Sequence, residues 1–172
     1  MLRIIYAIGF ALIANTSFAL DLKSKDIEEG SRIPEIHQFN GFGCSGGNIS
    51  PHLSWSDVPK GTKSFAITAF DPDAPTESGF WHWSMINIPR SQTSLDRGTS
   101  IGFESKNDYG YNGYGGPCPP KGDGMHRYQF TVWALPQENL EIPVGASNAV
   151  IGYFLNQLHL EKARITGTFV TE

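Results

Sequence analysis

Polar and apolar residues alternate most cleanly from Arg127 to Leu135, where Tyr128, Phe130, Val132 and Ala134 share one face of a predicted strand. Ser64 to Phe70 is the clearest strand: apolar, rich in β-formers and ended by the Asp71-Pro72 step. Trp81 to Ile88 predicts another, closed by Pro89. Shorter extended segments are expected at Leu20–Ile27, Ile36–Phe39 and Ile165–Val170, with turns at Ser31–Pro34 and Val58–Gly61. Between them, Asn48 to Trp55 reads as irregular and then extended. One helix is expected from Asn148 to about Glu161, capped by Ser147, with Val150, Tyr153, Phe154 and Leu158 as its apolar stripe. There is no repeat and no low-complexity tract. The order predicts a mainly β chain, an antiparallel β-sandwich with a short helix near the C-terminus.

Length and composition narrow this only slightly. The 172 residues suffice for one domain with a full core, and 40% apolar content excludes a disordered chain. Nineteen glycines and eleven prolines favour a loop-rich β protein. The formal charge of −4 makes nucleic acid or an anionic membrane surface a poor partner.

The first 19 residues change the expected compartment. Arg3 precedes an apolar run from Ile4 to Ile13, and Ser17-Phe18-Ala19 supplies small residues at −3 and −1 of a cleavage site. The run is shorter than the roughly 20 residues a membrane-spanning helix needs. The expected division is a signal peptide at 1–19 and a mature domain at 20–172, exported to the periplasm, with release outside the cell as an extension. No stable membrane anchoring is expected. In an oxidising compartment the two cysteines, Cys44 and Cys118, suggest a disulfide, the alternative being two separate buried thiols.

The candidate chemistry lies in two cassettes stiffened by proline and glycine. The first runs Asp71-Pro72-Asp73-Ala74-Pro75 and on to Trp81-His82-Trp83. Asp71 ends an apolar strand, so its carboxylate is expected at the sheet's rim. Strand alternation predicts both indoles on one face and His82 on the other. That leaves His82 as either a core residue satisfied by one hydrogen bond or a pocket residue. The second cassette runs Tyr114-Gly115-Gly116-Pro117-Cys118-Pro119-Pro120 and ends Gly124-Met125-His126-Arg127-Tyr128. Gly115 and Gly116 allow close backbone approach and offer amides to an anion. His126 and Tyr128 should project to one face, with Arg127 on the other as a salt-bridge partner. His37, His52 and His159, outside the cassettes, are expected at the surface.

These motifs, Asp-Pro-Asp-Ala-Pro, the following His-Trp, and Gly-Gly-Pro-Cys-Pro-Pro with Gly-x-His-Arg-Tyr, resemble the two signature regions of the phosphatidylethanolamine-binding protein family. The closer likeness is to its short bacterial YbhB/YbcL, or Raf-kinase-inhibitor-like, branch, and it spans essentially the whole mature chain. The resemblance implies a sandwich of two antiparallel sheets with a small anion-binding pocket at one edge. Carried over by motif, the ligand-binding residues are Asp71, Pro75, His82, Gly116, Pro117, His126 and Tyr128; Asp73 is weighted equally as a cap of its turn. The helix that gates the pocket in eukaryotic members has no visible counterpart, so a more open pocket is expected.

The expected function is binding of a small anion, phosphate or phosphoethanolamine-like, in order to modulate another protein. No cofactor and no metal are expected, and a homodimer is left open. Three alternatives stand beside it. One is hydrolysis by a His–Asp pair, for which no Gly-x-Ser-x-Gly elbow is present. Another is a metal site drawn from Asp71, Asp73, His82 and His126. The last is inhibition of a protease or kinase, for which no reactive loop is visible.

Overall fold

The computed structural model describes residues 19–172; the predicted leader lies outside them except for Ala19. Its strands, in chain order, are β1 (Asp21–Lys23), β2 (Asn40–Gly41), β3 (Cys44–Ser45), β4 (Leu53–Ser56), β5 (Ser64–Asp71), β6 (Phe80–Pro89), β7 (Ser94–Leu95), β8 (Phe103–Glu104) and β9 (His126–Leu135). Helix α1 (Asn148–Leu158) and strand β10 (Glu161–Phe169) complete the chain. A five-stranded sheet in the order β10-β9-β5-β6-β8 faces a three-stranded sheet, β1-β4-β7, with β2 and β3 as a separate ribbon. Every strand pair within these sheets is antiparallel.

The large sheet is buried on both faces at its centre, which explains the unbroken apolar run of β5. Phe65, Ile67 and Ala69 pack with Tyr128, Phe130, Val132 and Ala134 against Leu22, Leu53, Trp55 and Leu95 of the small sheet. Ala66 faces the other way, with Ile86, Trp133 and Leu135, under Ile151 and Leu155 of α1. β9 thus presents the predicted face to the space between the sheets.

Four expectations change in the fold. The first strand stops at Lys23, because the Ser24 hydroxyl accepts the amides of Asp26 and Ile27 and donates to His52 O, turning the chain. Ile36–Phe39 is not a strand: Pro34 opens a single 3-10 turn over Glu35–His37. α1 is capped by Ser147 as expected but ends at Leu158, and its buried face is Asn148, Ile151, Gly152 and Leu155. Val150, Tyr153 and Leu158 of the expected stripe are exposed. Apolar residues ring this helix, and the sheet takes the side where Gly152 lets Trp81 approach; a Cβ there would lie 2.8 Å from the indole. Finally, β10 begins at Glu161 rather than Ile165, since it pairs with β9 along its whole length.

Candidate functional site

Three adjacent strands of the large sheet, β9, β5 and β6, bring the two cassettes together at one edge. Asp71 is the last residue of β5, and its pleat position continues the core face of Phe65, Ile67 and Ala69. His126 and Tyr128 open β9 on that same face, two residues apart. Phe80, directly opposite Asp71, opens β6.

His82 reaches this face by a different route. Ala69 pairs with Trp83 and Phe70 with Trp81, so one step of β5 spans two of β6 and His82 is the extra residue of a β-bulge. The expected alternation fails here. Trp83 points into the core between the sheets, while Trp81 points to α1. The bulge aims His82 along with Trp83, and its ring meets Tyr128 edge-on at 5.1 Å.

These side chains enclose a cavity of about 160 Å³ lined by Asp71, Pro75, His82, His126 and Tyr128, with Phe80, Tyr109, Pro119 and Pro120 among the other walls. Pockets for drug-sized ligands run to about 300–1,000 Å³, so this one fits a headgroup-sized molecule. It opens beside a larger groove of about 690 Å³ that shares Phe80, Tyr109, Cys118, Pro119 and Pro120 and is flanked by Phe42, Lys121 and Glu172. Cys118 is bonded to Cys44, so the disulfide ties the shared rim to the β2–β3 ribbon.

The polar groups are held firmly. Asp71 is 2% exposed; its Oδ1 accepts the Asp73 amide at 2.8 Å and its Oδ2 faces His126 Nδ1 at 2.8 Å. His126 Nε2 lies 3.1 Å from Oδ2 of Asp123, so a carboxylate faces each ring nitrogen. His82 Nδ1 donates to Gly115 O at 2.7 Å, which leaves the lone pair of the neutral ring on Nε2. Burial is the main reason its pKa falls to about 4, so His82 is uncharged at neutral pH. The Tyr128 hydroxyl is buried beside the Asp71 carboxylate, which acts on it both as a charge and as a neighbouring hydrogen-bond acceptor, although the contact falls outside strict hydrogen-bond geometry and no other described residue reaches it. Burial, then the Asp71 charge, pushes its pKa well above the usual phenol range.

Arg127 turns to the opposite side, as expected of its odd position. Its guanidinium and amide engage Asp73, with Nε to Oδ2 at 2.8 Å and Nη2 to Oδ1 at 2.6 Å. Hydrogen bonds from Arg127 hold the Asp73 carboxyl below its ordinary pKa. Asp73 therefore locks the turn after β5 and is taken out of the cavity. Among the described residues, no group of three or more His, Cys, Asp or Glu side chains is arranged to hold a metal ion.

Gly116 and Pro117 lie behind the wall. The Gly115 amide donates to His82 O and the Gly116 amide to Asn48 Oδ1, each at 2.8 Å, so neither is free for an anion. Gly116 is required for packing: a Cβ there would lie 2.0 Å from His37 O. Pro117 O accepts from the Phe39 amide at 3.0 Å. The double-glycine segment thus orients the site through its carbonyls, Gly115 O holding His82 and Gly116 O accepting from the Tyr109 hydroxyl at 3.0 Å.

Tyr109 and Phe80 are lining residues that sequence reasoning missed. Tyr109 stacks on Phe39 at 3.9 Å between ring centres and stands edge-on to His82. The only signal for it was the run of tyrosines and glycines from Tyr109 to Gly116. His37 and His52 are buried, not surface residues. His37 Nδ1 bonds to Ile49 O at 2.7 Å, and Asp26 Oδ2 accepts the His52 amide at 2.7 Å and lies 3.7 Å from His37 Nε2, so both histidines belong to a buried network around Asp26.

The chain and its fold are similar to those of known proteins. The family described as Phosphatidylethanolamine-binding protein matches residues 23–170. The UPF0098 protein YbcL of Escherichia coli is 46% identical over 171 residues, covering 94% of this chain and 93% of that one. YbhB of the same organism is 45% identical over 158 residues, covering 87% of this chain and 99% of its own. The crystal structure of E. coli YbcL, described as a new member of the mammalian PEBP family, superposes with a TM-score of 0.85 and covers 90% of this chain and 100% of that chain. A phosphatidylethanolamine-binding protein from Plasmodium vivax, 16% identical, shares the fold with a TM-score of 0.54 over 92% of this chain and 88% of its own. The chain belongs to the phosphatidylethanolamine-binding protein family, in its bacterial YbcL/YbhB branch.

Proposed function

We propose that the mature domain is an exported receptor for a small anionic ligand, phosphate or phosphoethanolamine-like, and that it modulates a protein partner rather than transforming the ligand. The observation that carries this reading is a headgroup-sized cavity shared by His82, His126 and Tyr128, whose buried hydroxyl makes no hydrogen bond of good geometry among the described residues. A buried donor left unbonded is costly, and an oxyanion supplies the missing acceptor. Export to the periplasm is supported by the charged, apolar, small-residue order of the first 19 residues and by a disulfide on the pocket rim.

Hydrolysis is the weaker reading. The Asp71–His126 pair has the spacing of a general-base dyad, but both nitrogens of His126 face carboxylates, so neither is left to activate water. Cys118 is bonded to Cys44, and the Thr76 hydroxyl donates to Gly79 O.

Calorimetric titration of the mature protein with inorganic phosphate and with phosphoethanolamine tests the proposal. One saturable site is expected, lost in a His82→Ala, His126→Ala double variant that keeps its circular dichroism. Unchanged affinity in that variant would refute the assigned site.

A further inference from the structure

We infer that this pocket selects its oxyanion in a protonated form, taking the monoanion of a phosphate monoester and rejecting fully ionised oxyanions. The inference rests on the anion-binding reading above and concerns which protonation state the same site accepts.

Donors, acceptors and charge around the cavity decide the matter. Among the described residues, no lysine or arginine lines it. The nearest guanidinium in the motif, Arg127, is committed to both oxygens of Asp73. Lys121 belongs to the adjoining groove rather than to the cavity. The groups that face the cavity or its histidines are Asp71 from β5, His82 from β6, His126 and Tyr128 from β9, Tyr109 from the loop after β8 and Asp123 from the turn before β9. By formal charge, Asp71 and Asp123 outweigh His126 even when its ring is doubly protonated. The Gly115 and Gly116 amides are spent inside the protein.

Among the described residues, what remains on the cavity wall is one donor and one acceptor without a hydrogen bond of good geometry. The donor is the Tyr128 hydroxyl. The acceptor is the His82 Nε2 lone pair, fixed there because Nδ1 is bonded to Gly115 O. A phosphate monoester monoanion matches both: a P–O⁻ oxygen accepts from Tyr128 and its P–OH donates to His82 Nε2. A dianion, or sulfate, brings a second negative charge toward Asp71 and has no proton to give to His82. Such a site leaves an acceptor unpaired and a like charge uncompensated, which is how polar sites reject near-isosteres.

Ethyl phosphate, ethylphosphonate and sulfate, titrated calorimetrically into the mature protein between pH 5.5 and 8.5, test this. The second ionisation of a phosphate monoester lies near pH 6, so about half is monoanion at pH 6 and about 1% at pH 8. Ethyl phosphate affinity is therefore expected to fall about 50-fold from pH 6 to pH 8. The break should move to higher pH for ethylphosphonate, whose second ionisation lies higher; a break set by a protein group would stay in place. Sulfate is expected to bind at least tenfold more weakly than ethyl phosphate at pH 6. Affinity that is flat or rises with pH, a break common to both ligands, or sulfate binding as well as ethyl phosphate would overturn this inference and leave the anion receptor standing. Failure of ethyl phosphate to bind at any pH would overturn both.

Discussion

Replacing Tyr128 with phenylalanine separates the needs of folding from those of binding. The ring is 1% exposed and packs in the core, so a phenyl ring in its place would keep almost all of the contacts and lack only the hydroxyl. That hydroxyl is buried without a partner, a condition that costs about 1–3 kcal/mol. Because the Asp71 carboxylate lies close by as an acceptor, we take the lower end, about 1 kcal/mol. Tyr128→Phe should therefore raise the melting temperature of the ligand-free protein by about 2–4 °C for a domain of this size. The same change deletes the donor assigned to the oxyanion. A hydrogen bond to a charged group contributes about 1.5–3 kcal/mol, so affinity for phosphate should fall between about tenfold and about 150-fold. Scanning calorimetry with and without saturating phosphate reads both quantities. A variant that melts lower and binds phosphate as tightly as the parent would show that the hydroxyl serves the fold and not the ligand.

Other consequences follow from the framework around the site. The disulfide closes a separation of 74 residues, and the chain-entropy relation puts its contribution at up to about 4.4 kcal/mol. A Cys44→Ser, Cys118→Ser variant should melt about 9–18 °C lower; a change of less than about 3 °C would contradict that contribution. Gly116→Ala forces a methyl onto His37 O at 2.0 Å and should lower stability by about 3 kcal/mol in urea unfolding, whereas an unchanged midpoint would show that the wall yields. His82 has a folded pKa of about 4 against 6.5 in the unfolded chain. The unfolded state therefore binds the proton first as pH falls, and stability decreases between pH 6.5 and 4 by about 3 kcal/mol before levelling. His82→Gln should remove that part of the slope in urea midpoints measured over the same range.

The parts of the site legible in the sequence were those set by local rules. His126 and Tyr128 share a face because strands have a period of two, and Arg127 is turned away for the same reason. Asp71 sits at a strand end because Pro72 cannot continue a central strand. What was not legible depends on which strand lies alongside. The aim of His82 comes from a bulge that exists only in the register of β5 against β6. The Gly115 and Gly116 amides looked available, yet His82 O and Asn48 Oδ1, distant in sequence, claim them. Asn48 itself holds a left-handed backbone with φ of 51°, tolerated by its short polar side chain. The buried face of α1 was missed because Gly152 contributes no hydrophobicity to a stripe, while its lack of a Cβ is what admits Trp81. His37 and His52 looked like surface residues because their partners, Ile49 O and Asp26, lie 12 and 26 residues away.

The most direct test of the central claim is a crystal structure of the mature protein grown with phosphoethanolamine at pH 6. The phosphate is expected in the small cavity, with one oxygen within hydrogen-bond distance of Tyr128 Oη and another of His82 Nε2. Phosphate density confined to the larger groove beside Phe42 and Lys121, with the small cavity holding only water, would contradict it.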